Sequence, residues 1–362
     1  MNQLSINTLT INGIFHDKQM LLERIALEKE KSDLLKQLFA FLKLWLNDED
    51  IIELRTSGST GPPKFIAVQK MQMLRSAAMT VAFFNLKPGM KALLCLSPEY
   101  IAGRMMIVRA MLAGLDLITT EAEANPIADL HSNIDFAAMV PFQLSKAIQE
   151  SPEKTALIKT IILGGSDIHP ILEKACGKLK TRVFHTYGMT ETLSHIALRA
   201  VNGTEKTDWF TPLSGIQLHL DERKCLTINA PALNDEHIAT NDIAEIDNKG
   251  RFRILGRADD VINTAGIKLH PAQIEKKISS LIPGVFVMSE KTEMNSGKIP
   301  VLVCDHQISI LDLYKLWKLL SGVLHETEMP RTIVTLKKLP LLDSGKIDRL
   351  AIKEIIKSKS RR

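Results

Sequence analysis

Between about residue 92 and residue 185 the chain alternates short apolar runs with segments of helical spacing, and this alternation constrains the fold most. Apolar runs of this length are typical of buried strands. Strand–helix alternation with short connections favours a largely parallel sheet with helices on both faces, which is the α/β class. The predicted strands are residues 51–55, 92–96, 115–119, 136–140, 160–163 and 182–185, and the predicted helices are residues 18–46, 69–84, 101–113, 142–150 and 170–177.

A different pattern begins after about residue 208. Short β-like runs separated by turns predict a small β subdomain over about residues 208–256, and a polar junction follows it at residues 256–260. Since 362 residues exceed the usual size of one compact domain, we expect two domains. The predicted large N-terminal domain covers residues 1–258, and a small α+β domain covers residues 259–362.

Charge and hydropathy exclude several classes of protein. The formal net charge of +5 is too small to indicate a nucleic-acid partner. No run of about 18 apolar residues is present, so no membrane span is expected, and the first residues lack a signal-peptide pattern. Four cysteines without a CxxC pair indicate reduced, buried thiols in a cytoplasmic protein, rather than disulfides or a zinc site. They are Cys95, Cys176, Cys225 and Cys304.

The first motif that indicates chemistry is the loop Thr56–Lys64, which reads TSGSTGPPK and follows a predicted strand. Small residues let the backbone approach an anion, N–H groups and hydroxyls can surround phosphate oxygens, and a lysine adds positive charge. The spacing is not that of a Walker A loop, because only two residues separate Gly58 from Gly61 and Phe65 follows the lysine. Alone, such a loop can also be a flexible surface turn.

Three further motifs follow along the chain. The second, Thr186–Glu191, offers a glutamate that can hold magnesium and a tyrosine that can stack on a base, although an ordinary strand-to-helix turn is the alternative. The third runs from Gly256 to Lys268 and on to Glu275. The fourth covers residues 339–349 and places Lys346 on a glycine turn, where alone it is more often mere solvated charge.

Together and in this order, the four motifs resemble those of the AMP-forming acyl- and aryl-CoA synthetases, the adenylate-forming superfamily that includes luciferases and peptide-synthetase adenylation domains. They span residues 56–349, most of the chain. The resemblance implies a small C-terminal lid that rotates between two half-reactions. In the first, a carboxylate attacks the α-phosphate of MgATP and gives acyl-AMP and pyrophosphate. In the second, a thiol, usually that of CoA, displaces AMP, so that ATP, Mg²⁺ and CoA are implied.

The resemblance also implies a role for each matching residue. Lys346 matches the lid lysine that bridges the carboxylate and the α-phosphate, Thr190 the residue that touches the α-phosphate, and Glu191 the magnesium ligand. Lys64 belongs to the loop that grips the β- and γ-phosphates and completes the implied catalytic set. The implied ATP- and AMP-binding residues are Thr56, Ser57, Gly58, Ser59, Thr60, Gly61 and Lys64; Gly164, Gly165 and Ser166 of the adenine-side turn; Tyr187, which packs on adenine; Gly188 and Thr190; and Asp242 and Arg257 at the ribose.

The physics fits these implied roles. An attacking carboxylate is repelled by the polyanionic triphosphate, so the site must supply positive charge, as Mg²⁺, Lys64 and Lys346 would. Catalysis is then mainly alignment and charge stabilisation. Asp259 matches the hinge of the lid. Gly266, with Lys268 nearby, matches the glycine beside the pantetheine tunnel, where a side chain would block the thiol.

Two departures from the family pattern are visible. Most members have a much longer segment ahead of the phosphate loop, whereas Thr56 is reached here after 55 residues, so we expect an N-terminal subdomain to be largely missing. The motif that usually reads Thr-Gly-Asp is Thr240–Asp242 here, with Asn241 in place of the glycine. Because asparagine tolerates the left-handed backbone that glycine often supplies, we expect the substitution to be tolerated.

Residues 96–110 are similar to the shortened members of the superfamily that act as o-succinylbenzoate–CoA ligases in menaquinone biosynthesis. Of the two carboxylates of that acid, the succinyl one is activated and the aromatic one must be neutralised in an apolar pocket. Arg109, or Arg104, is predicted to do so through a forked hydrogen-bond pair, and Ser194 and His195 to line the same pocket. The alternatives are that Arg109 snorkels from an amphipathic helix and that His195 is an ordinary helix histidine.

The best prediction is therefore an ATP-dependent o-succinylbenzoate–CoA ligase that acts on a small-molecule carboxylic acid, with no nucleic-acid partner; a homodimer stays open. Three alternatives stay open as well: a ligase for another aryl or medium-chain acid, a stand-alone adenylation protein that loads a carrier protein, and a catalytically idle nucleotide-binding relative. The presence of all five main charged residues of the motifs argues against the idle relative. These are Lys64, Glu191, Asp242, Arg257 and Lys346.

Overall fold

The computed structural model describes residues 6–55, 65–234, 236–264, 266–293, 297–305, 310–341 and 347–359. By its internal contacts the chain divides into two compact units. The first comprises residues 1–218, 228–238 and 248–251, and the second residues 219–227, 239–247 and 252–362. Much of the predicted β subdomain therefore groups with the C-terminal residues. The domain boundary at residue 258 stays a prediction.

The secondary structure follows the strand–helix alternation closely. The strands are β1 (Leu9–Ile11), β2 (Ile14–His16), β3 (Ile51–Arg55), β4 (Phe65–Gln69), β5 (Lys91–Leu94), β6 (Asp116–Thr119), β7 (Ile134–Met139), β8 (Ile158–Leu163), β9 (Arg182–Gly188), β10 (His195–Ala200), β11 (Thr211–Pro212), β12 (Gln217–Leu220), β13 (Cys225–Asn229), β14 (Ile238–Ile246), β15 (Phe252–Arg257), β16 (Ile262–Thr264), β17 (Ile267–Leu269), β18 (Phe286–Glu293), β19 (Gly297–Cys304) and β20 (Thr332–Thr335). The helices are α1 (Lys18–Leu27), α2 (Asp33–Leu46), α3 (Lys70–Phe84), α4 (Ile101–Ala113), α5 (Pro141–Glu150), α6 (Pro152–Thr155), α7 (Pro170–Cys176), α8 (Pro271–Ile278), α9 (Ile310–Ser321) and α10 (Arg349–Lys359).

The first unit is built around a large, mostly parallel sheet. Its strand order is β11–β10–β9–β8–β7–β5–β6–β1–β2. The central strands from β9 to β1 are parallel neighbours, whereas β10, β11 and β2 add antiparallel edges. This confirms the predicted α/β class with a largely parallel sheet.

Helices cover both faces of this sheet because its central strands are apolar on both sides. Successive side chains of a strand point to opposite faces. Leu94 of β5 packs in the cluster that contains Leu38 of α2 and Met105 of α4. Its neighbour Leu93 packs in a different cluster, with Leu144 of α5. Buried strands of this kind read as continuous apolar runs in the sequence, which is why they could be predicted.

The predicted helix over residues 18–46 is wrong in one respect, since it is two helices. Glu28 adopts a left-handed conformation with φ 45° and ends α1. Ser32 then begins the next helix, where its Oγ accepts a hydrogen bond from the Leu35 N–H at 3.2 Å. By contrast, α4 has the predicted bounds and ends at Gly114, whose φ is 64°.

The C-terminal part of the chain contains smaller sheets. One has the order β12–β13–β14–β15, β16 and β17 form a hairpin, and β19 lies between antiparallel β18 and parallel β20. Ile274 of α8 and Leu316 of α9 pack on one side of β18–β20, and Ile352 of α10 packs on the other. These elements give the second unit a core of its own.

All four cysteines are buried and free, as predicted. Burial is the main reason why the pKa values of Cys95, Cys176 and Cys304 are raised to about 12. Within the described ranges, no helix is both long enough and apolar enough to span a membrane.

Candidate active site

The phosphate loop and the lid lysine lie outside the described residues, so their predicted roles stay predictions. The strands that flank the loop in sequence, β3 and β4, form an antiparallel pair with Arg55 opposite Phe65. The predicted site residues outside the described ranges are Thr56, Ser57, Gly58, Ser59, Thr60, Gly61, Lys64 and Lys346.

The predicted adenine-side turn, Gly164–Ser166, follows β8 at the carboxyl end of the parallel strands. Open α/β sheets bind ligands at this edge. A Cβ on Gly164 would lie 2.8 Å from Thr186 Oγ1, and Gly165 has a φ of +88°. A side chain at residue 164 would displace the hydroxyl of Thr186, and one at residue 165 would be strained by the backbone conformation, so both positions favour glycine.

The second motif forms the end of a β-hairpin. Tyr187 and Gly188 end β9, and a 3₁₀ turn over Thr190–Thr192 leads into β10. Gly188 lies opposite His195, and a Cβ on Gly188 would lie 2.6 Å from the Cα of His195 and closer still to a carbonyl oxygen. The two strands thus approach each other closely only because residue 188 has no side chain.

Leu193 closes this hairpin in an unusual conformation. Its φ is 64° and its ψ is −38°, and the N–H of Ser194 donates to the carbonyl of Thr192 at 2.7 Å. This is a γ-turn with positive φ, which is rare and strained for a residue other than glycine. Leu193 is 2% exposed, so its burial offsets part of the strain. The turn directs the two following side chains back along β9.

Arg109 of α4 is fully buried, with 2% exposure, and its guanidinium contacts Ser194, the first residue after this turn. Its Nη2 donates to Ser194 Oγ at 2.7 Å, and its Nη1 lies 3.7 Å from Met106 Sδ. The buried Nε has no hydrogen-bond partner among the described residues. The alternative that Arg109 snorkels from the surface is therefore wrong.

The contacts of Arg109 continue into a chain of neutral groups. Ser194 Oγ lies 3.4 Å from His195 Nδ1, and His195 Nε2 lies 3.1 Å from Thr80 Oγ1 of α3. We call these four residues (Arg109, Ser194, His195 and Thr80) the Arg109 cluster. In the described part of the chain, no carboxylate forms an ion pair with its arginine.

Burial governs the charges in the Arg109 cluster. It lowers the pKa of Arg109 to about 9, which still leaves the guanidinium protonated at neutral pH. Burial, and secondly the Arg109 charge, holds the pKa of His195 well below its ordinary value, so this imidazole is neutral. The cluster therefore carries one positive charge in an apolar environment.

For two residues of the Arg109 cluster, His195 and Thr80, the structure corrects or extends what the sequence predicted. His195 begins β10, so the alternative of an ordinary helix histidine is wrong. Sequence reasoning missed Thr80, which is 0% exposed in α3. The signal was a lone hydroxyl in the apolar run from Ala77 to Phe84, since a buried hydroxyl needs a partner.

Arg104 is not brought to the Arg109 cluster. Its Nε donates to the carbonyl of Pro98 and its Nη1 to the carbonyl of Glu53, both at 2.8 Å, and it lies over the ring of Phe41. Arg109 lies five positions further along the helix, and five steps turn an α-helix by about 500°, so the two side chains leave α4 about 140° apart. Of the two candidates, only Arg109 contacts Ser194.

Glu191 and Tyr187 are positioned by the hairpin. The carboxylate of Glu191 is exposed in the 3₁₀ turn and forms no ion pair with side chains of the described ranges. Tyr187 is half-buried, and its ring centroid lies 6.0 Å from that of Phe210. An exposed carboxylate without a cation partner fits a metal ligand.

In the second unit, the predicted ribose residues lie together. Asp242 of β14 lies opposite Arg257 of β15, whose Nη1 donates to Asp242 Oδ1 at 3.2 Å. Nη2 of the same arginine donates to Oδ2 of Asp259, the predicted hinge residue, at 3.0 Å. Register across two paired strands thus brings the residues of two separate motifs into contact.

The expected backbone at Asn241 is wrong. Asn241 lies within β14 in an extended strand and does not need the left-handed conformation that glycine supplies. Its side chain instead bridges two charged residues: Arg223 Nη1 donates to its Oδ1 at 3.1 Å, and its Nδ2 donates to Asp259 Oδ2 at 3.3 Å.

Gly266 occupies the turn of the β16–β17 hairpin with a φ of +82°. A Cβ there would meet no described atom within 4 Å, so within this unit glycine is required by the backbone rather than by space. Lys268 is exposed on β17 opposite Asn263. Their roles at a CoA tunnel stay predictions.

Sequence reasoning also missed a buried group of side chains behind the adenine-side turn. His185 and Arg199 are 6% and 8% exposed, and Glu173 of α7 accepts two hydrogen bonds from Arg199, at 3.1 and 3.3 Å. Burial and the Arg199 charge lower the pKa of His185 to about 4. The available signal was the charged Arg199 inside an otherwise apolar segment, since a buried charge requires a partner.

The chain is similar in sequence to a known enzyme family. Residues 43–225, half of the chain, match the family described as AMP-binding enzyme. The 2-succinylbenzoate–CoA ligase of Salmonella typhimurium is 26% identical over 287 residues, which cover 75% of this chain and 61% of that enzyme. The chain thus spans less than two thirds of the length of this curated relative.

Two solved structures have the same fold. An acyl-CoA synthetase (AMP-forming)/AMP-acid ligase II-like protein from Dyadobacter fermentans is 35% identical, with a TM-score of 0.63, over 92% of this chain and 97% of that chain. The o-succinylbenzoate CoA synthetase (MenE) of Bacillus subtilis, in complex with ATP and magnesium, has a TM-score of 0.74 at 17% identity, over 96% of this chain and 97% of that chain. At that identity the second likeness concerns the fold alone.

Proposed function

The chain belongs to the AMP-binding enzyme family, and from this premise we propose that it is an acid–CoA ligase whose acid is o-succinylbenzoate. The carboxylate would attack the α-phosphate of MgATP to give the acyl adenylate and pyrophosphate, and the CoA thiol would then displace AMP. The curated relative from Salmonella, named 2-succinylbenzoate–CoA ligase, supports this acid. A cytoplasmic location and a role in menaquinone biosynthesis belong to the same proposal.

The buried charge of Arg109 is the observation that carries the choice of acid. A buried guanidinium is costly unless an anion pairs with it. Among the described residues, Arg109 has one hydroxyl and one thioether as neighbours and keeps an unpaired Nε. A carboxylate of the substrate would satisfy these donors through a charge-assisted, forked pair. A simple fatty acid has no second anion to offer.

A dicarboxylic acid therefore fits the chemistry better than a monocarboxylic acid. One carboxylate has to reach the α-phosphate, and the other has to remain where Arg109 holds it. No general base is required for the first, because a carboxylic acid is already ionised at neutral pH. Ser194, which Arg109 contacts at 2.7 Å, is half-buried and would lie beside the bound carboxylate.

The remaining roles rest on the positions of the motif residues. Glu191 would hold magnesium, which supplies positive charge to the triphosphate when it is bound. Asp242 would accept hydrogen bonds from the ribose hydroxyls, and Arg257, 3.2 Å from it, would keep its carboxylate in place. Lys64 and Lys346 would supply the remaining positive charge near the reacting groups.

A pyrophosphate-release assay with MgATP and CoA tests the acid. We would compare o-succinylbenzoate, benzoate and octanoate, with Lys346→Ala as the catalytic control. Turnover confined to o-succinylbenzoate and lost in the control supports the proposal. Turnover of octanoate or benzoate alone would be consistent with an acid–CoA ligase but would reject o-succinylbenzoate as its substrate. Pyrophosphate release that CoA does not accelerate would favour a stand-alone adenylation protein.

The two arginines of α4 provide a matched pair of variants. We expect Arg109→Met to lower kcat/KM for o-succinylbenzoate by at least about 30-fold, because the substrate carboxylate would lose its buried partner. Arg104→Met removes an arginine of the same helix that contacts backbone carbonyls, so it should alter stability without altering the preference among acids. An equal loss in both variants would contradict the role of Arg109.

A further inference from the structure

His185 and Arg199 lie directly opposite each other on antiparallel β9 and β10. Both side chains are buried, at 6% and 8% exposure. Arg199 Nε donates to His185 Nδ1 at 3.3 Å, and on the other side of the ring His185 Nε2 lies 3.3 Å from the carbonyl oxygen of Ser166. The imidazole therefore connects the second strand of the hairpin to the turn after β8.

The hydrogen-bond partners fix the tautomer of this histidine. A guanidinium can only donate, so Nδ1 must accept and carries no proton. Nε2 then carries the proton, and this N–H donates a hydrogen bond to the carbonyl oxygen of Ser166. An imidazolium would direct a second N–H at Arg199, so only the neutral ring satisfies both neighbours.

Arg199 is itself held firmly. Its two terminal nitrogens donate to the two carboxylate oxygens of Glu173 on α7, at 3.1 and 3.3 Å, and its Nη1 also donates to the carbonyl of Thr207 at 3.3 Å. Its guanidinium carbon lies 5.7 Å from the ring centroid of Phe210. A forked pair of this kind fixes orientation as well as distance. Through Arg199 of β10, the imidazole is thus supported by α7 and by the segment that carries Thr207 and Phe210.

Two consecutive residues of β9 secure the adenine-side turn. Thr186 Oγ1 donates to the carbonyl of Leu163 at 2.9 Å, immediately before the turn, and His185 donates to the carbonyl of Ser166 at its end. The next residue of the strand is Tyr187, whose ring packs on Phe210, as the ring of His185 does at 5.2 Å. The turn and Tyr187, the two predicted neighbours of adenine, therefore share the same support.

We propose that His185, held by Arg199 and Glu173, is a positioning residue that places the Gly164–Ser166 turn against the nucleotide. This inference rests on the proposed function, because it assumes that the turn contacts adenine. It concerns only nucleotide binding. Loss of the imidazole should weaken the binding of ATP. It should leave the binding of the acid, which depends on Arg109, unaffected.

The test compares His185→Leu with His185→Gln in the full chain. The leucine removes both hydrogen bonds, whereas the glutamine offers an amide donor and a carbonyl acceptor. We expect His185→Leu to raise both the Kd of MgATP, measured by titration calorimetry without acid, and the KM for ATP by about 3- to 10-fold. The KM for the acid should stay within twofold, and His185→Gln should recover most of the nucleotide affinity. His131→Leu, on the exposed surface of the same unit, is the matched control.

Each other outcome has one meaning. Equal rises in the KM for ATP and for the acid, or no change in the Kd of MgATP, would overturn the positioning role. If the wild-type chain binds no MgATP, the proposed function is rejected. If wild type and variant bind MgATP equally well, only the positioning role of His185 is rejected. If His185→Leu does not fold, Glu173→Gln, which weakens the support of Arg199, must raise the Kd of MgATP in the same direction or the inference is rejected.

Discussion

Gly188 is the residue at which the candidate site has least freedom. A Cβ there would lie 2.6 Å from His195 Cα, a distance that backbone atoms cannot relieve by a rotamer change. We expect Gly188→Ala to lower the free energy of unfolding by about 1–3 kcal/mol, as overpacking does. It should also reduce adenylation, because the strands that carry Tyr187 and His195 must separate. Urea unfolding and pyrophosphate release measure the two effects.

Gly322→Ala is the control for that substitution. Its nearest neighbour to an added Cβ is the carbonyl of Leu319 at 3.5 Å, which is ordinary contact. Its free energy of unfolding should therefore stay within about 0.5 kcal/mol of wild type. A Gly188→Ala protein as stable and as active as this control would show that the hairpin can open without cost.

At the scale of elements, the second motif could be located from the sequence but its hairpin could not. The spacing of Tyr187 and Glu191 after an apolar strand identified the segment. The reversal that follows depends on Leu193 at positive φ, which sequence patterns almost never assign to leucine. The strand that follows the reversal, β10, was not predicted either. The contact between Arg109 and Ser194 depends on that reversal. The sequence could therefore name Arg109, Ser194 and His195 as members of one pocket, but neither Thr80 nor the geometry of the Arg109 cluster.

The β14–β15 pair gives a prediction about Asn241. Because this residue is extended and bridges Arg223 and Asp259, Asn241→Gly should lower the free energy of unfolding by about 1 kcal/mol. Glycine would gain nothing here from its tolerance of the left-handed conformation, since the backbone does not adopt that conformation. The KM for ATP should stay within twofold. Asn229→Gly in β13 is the control, with a similar loss of stability. A tenfold change in the KM for ATP in Asn241→Gly alone would instead assign the side chain to nucleotide binding.

At the scale of the whole molecule, the sheet was the predictable part. Its central strands are apolar on both faces, and that gives the sequence a signal independent of tertiary context. The strands β1 and β2, at one end of the sheet, have only three residues each, too few for a periodic pattern. The division into two units was harder to predict from the sequence, since β14 contributes residues to both units. Local patterns cannot report how such strands are shared.

The buried histidines make the stability of the molecule depend on pH. His185 has its pKa lowered to about 4 by burial, then by Arg199, against smaller raising effects of Asp167 and Glu173, and the pKa of His195 is also lowered by burial. An unfolded histidine titrates near pH 6.5, so above that pH neither state binds the proton. Below it, the unfolded chain takes up protons that the folded chain refuses, and the free energy of unfolding must fall as the pH falls towards 4.

Each buried histidine contributes a slope of up to about 1.4 kcal/mol per pH unit in that window. We therefore expect urea unfolding between about pH 6.5 and pH 5 to show a decline that His185→Gln makes shallower by up to that amount. The exposed His131→Gln should leave the slope as in wild type. If His185→Gln and wild type decline in parallel, the folded chain must bind a proton at His185. The interaction of its Nδ1 with Arg199 would then be lost over the range in which the neutral ring is expected to hold the adenine-side turn.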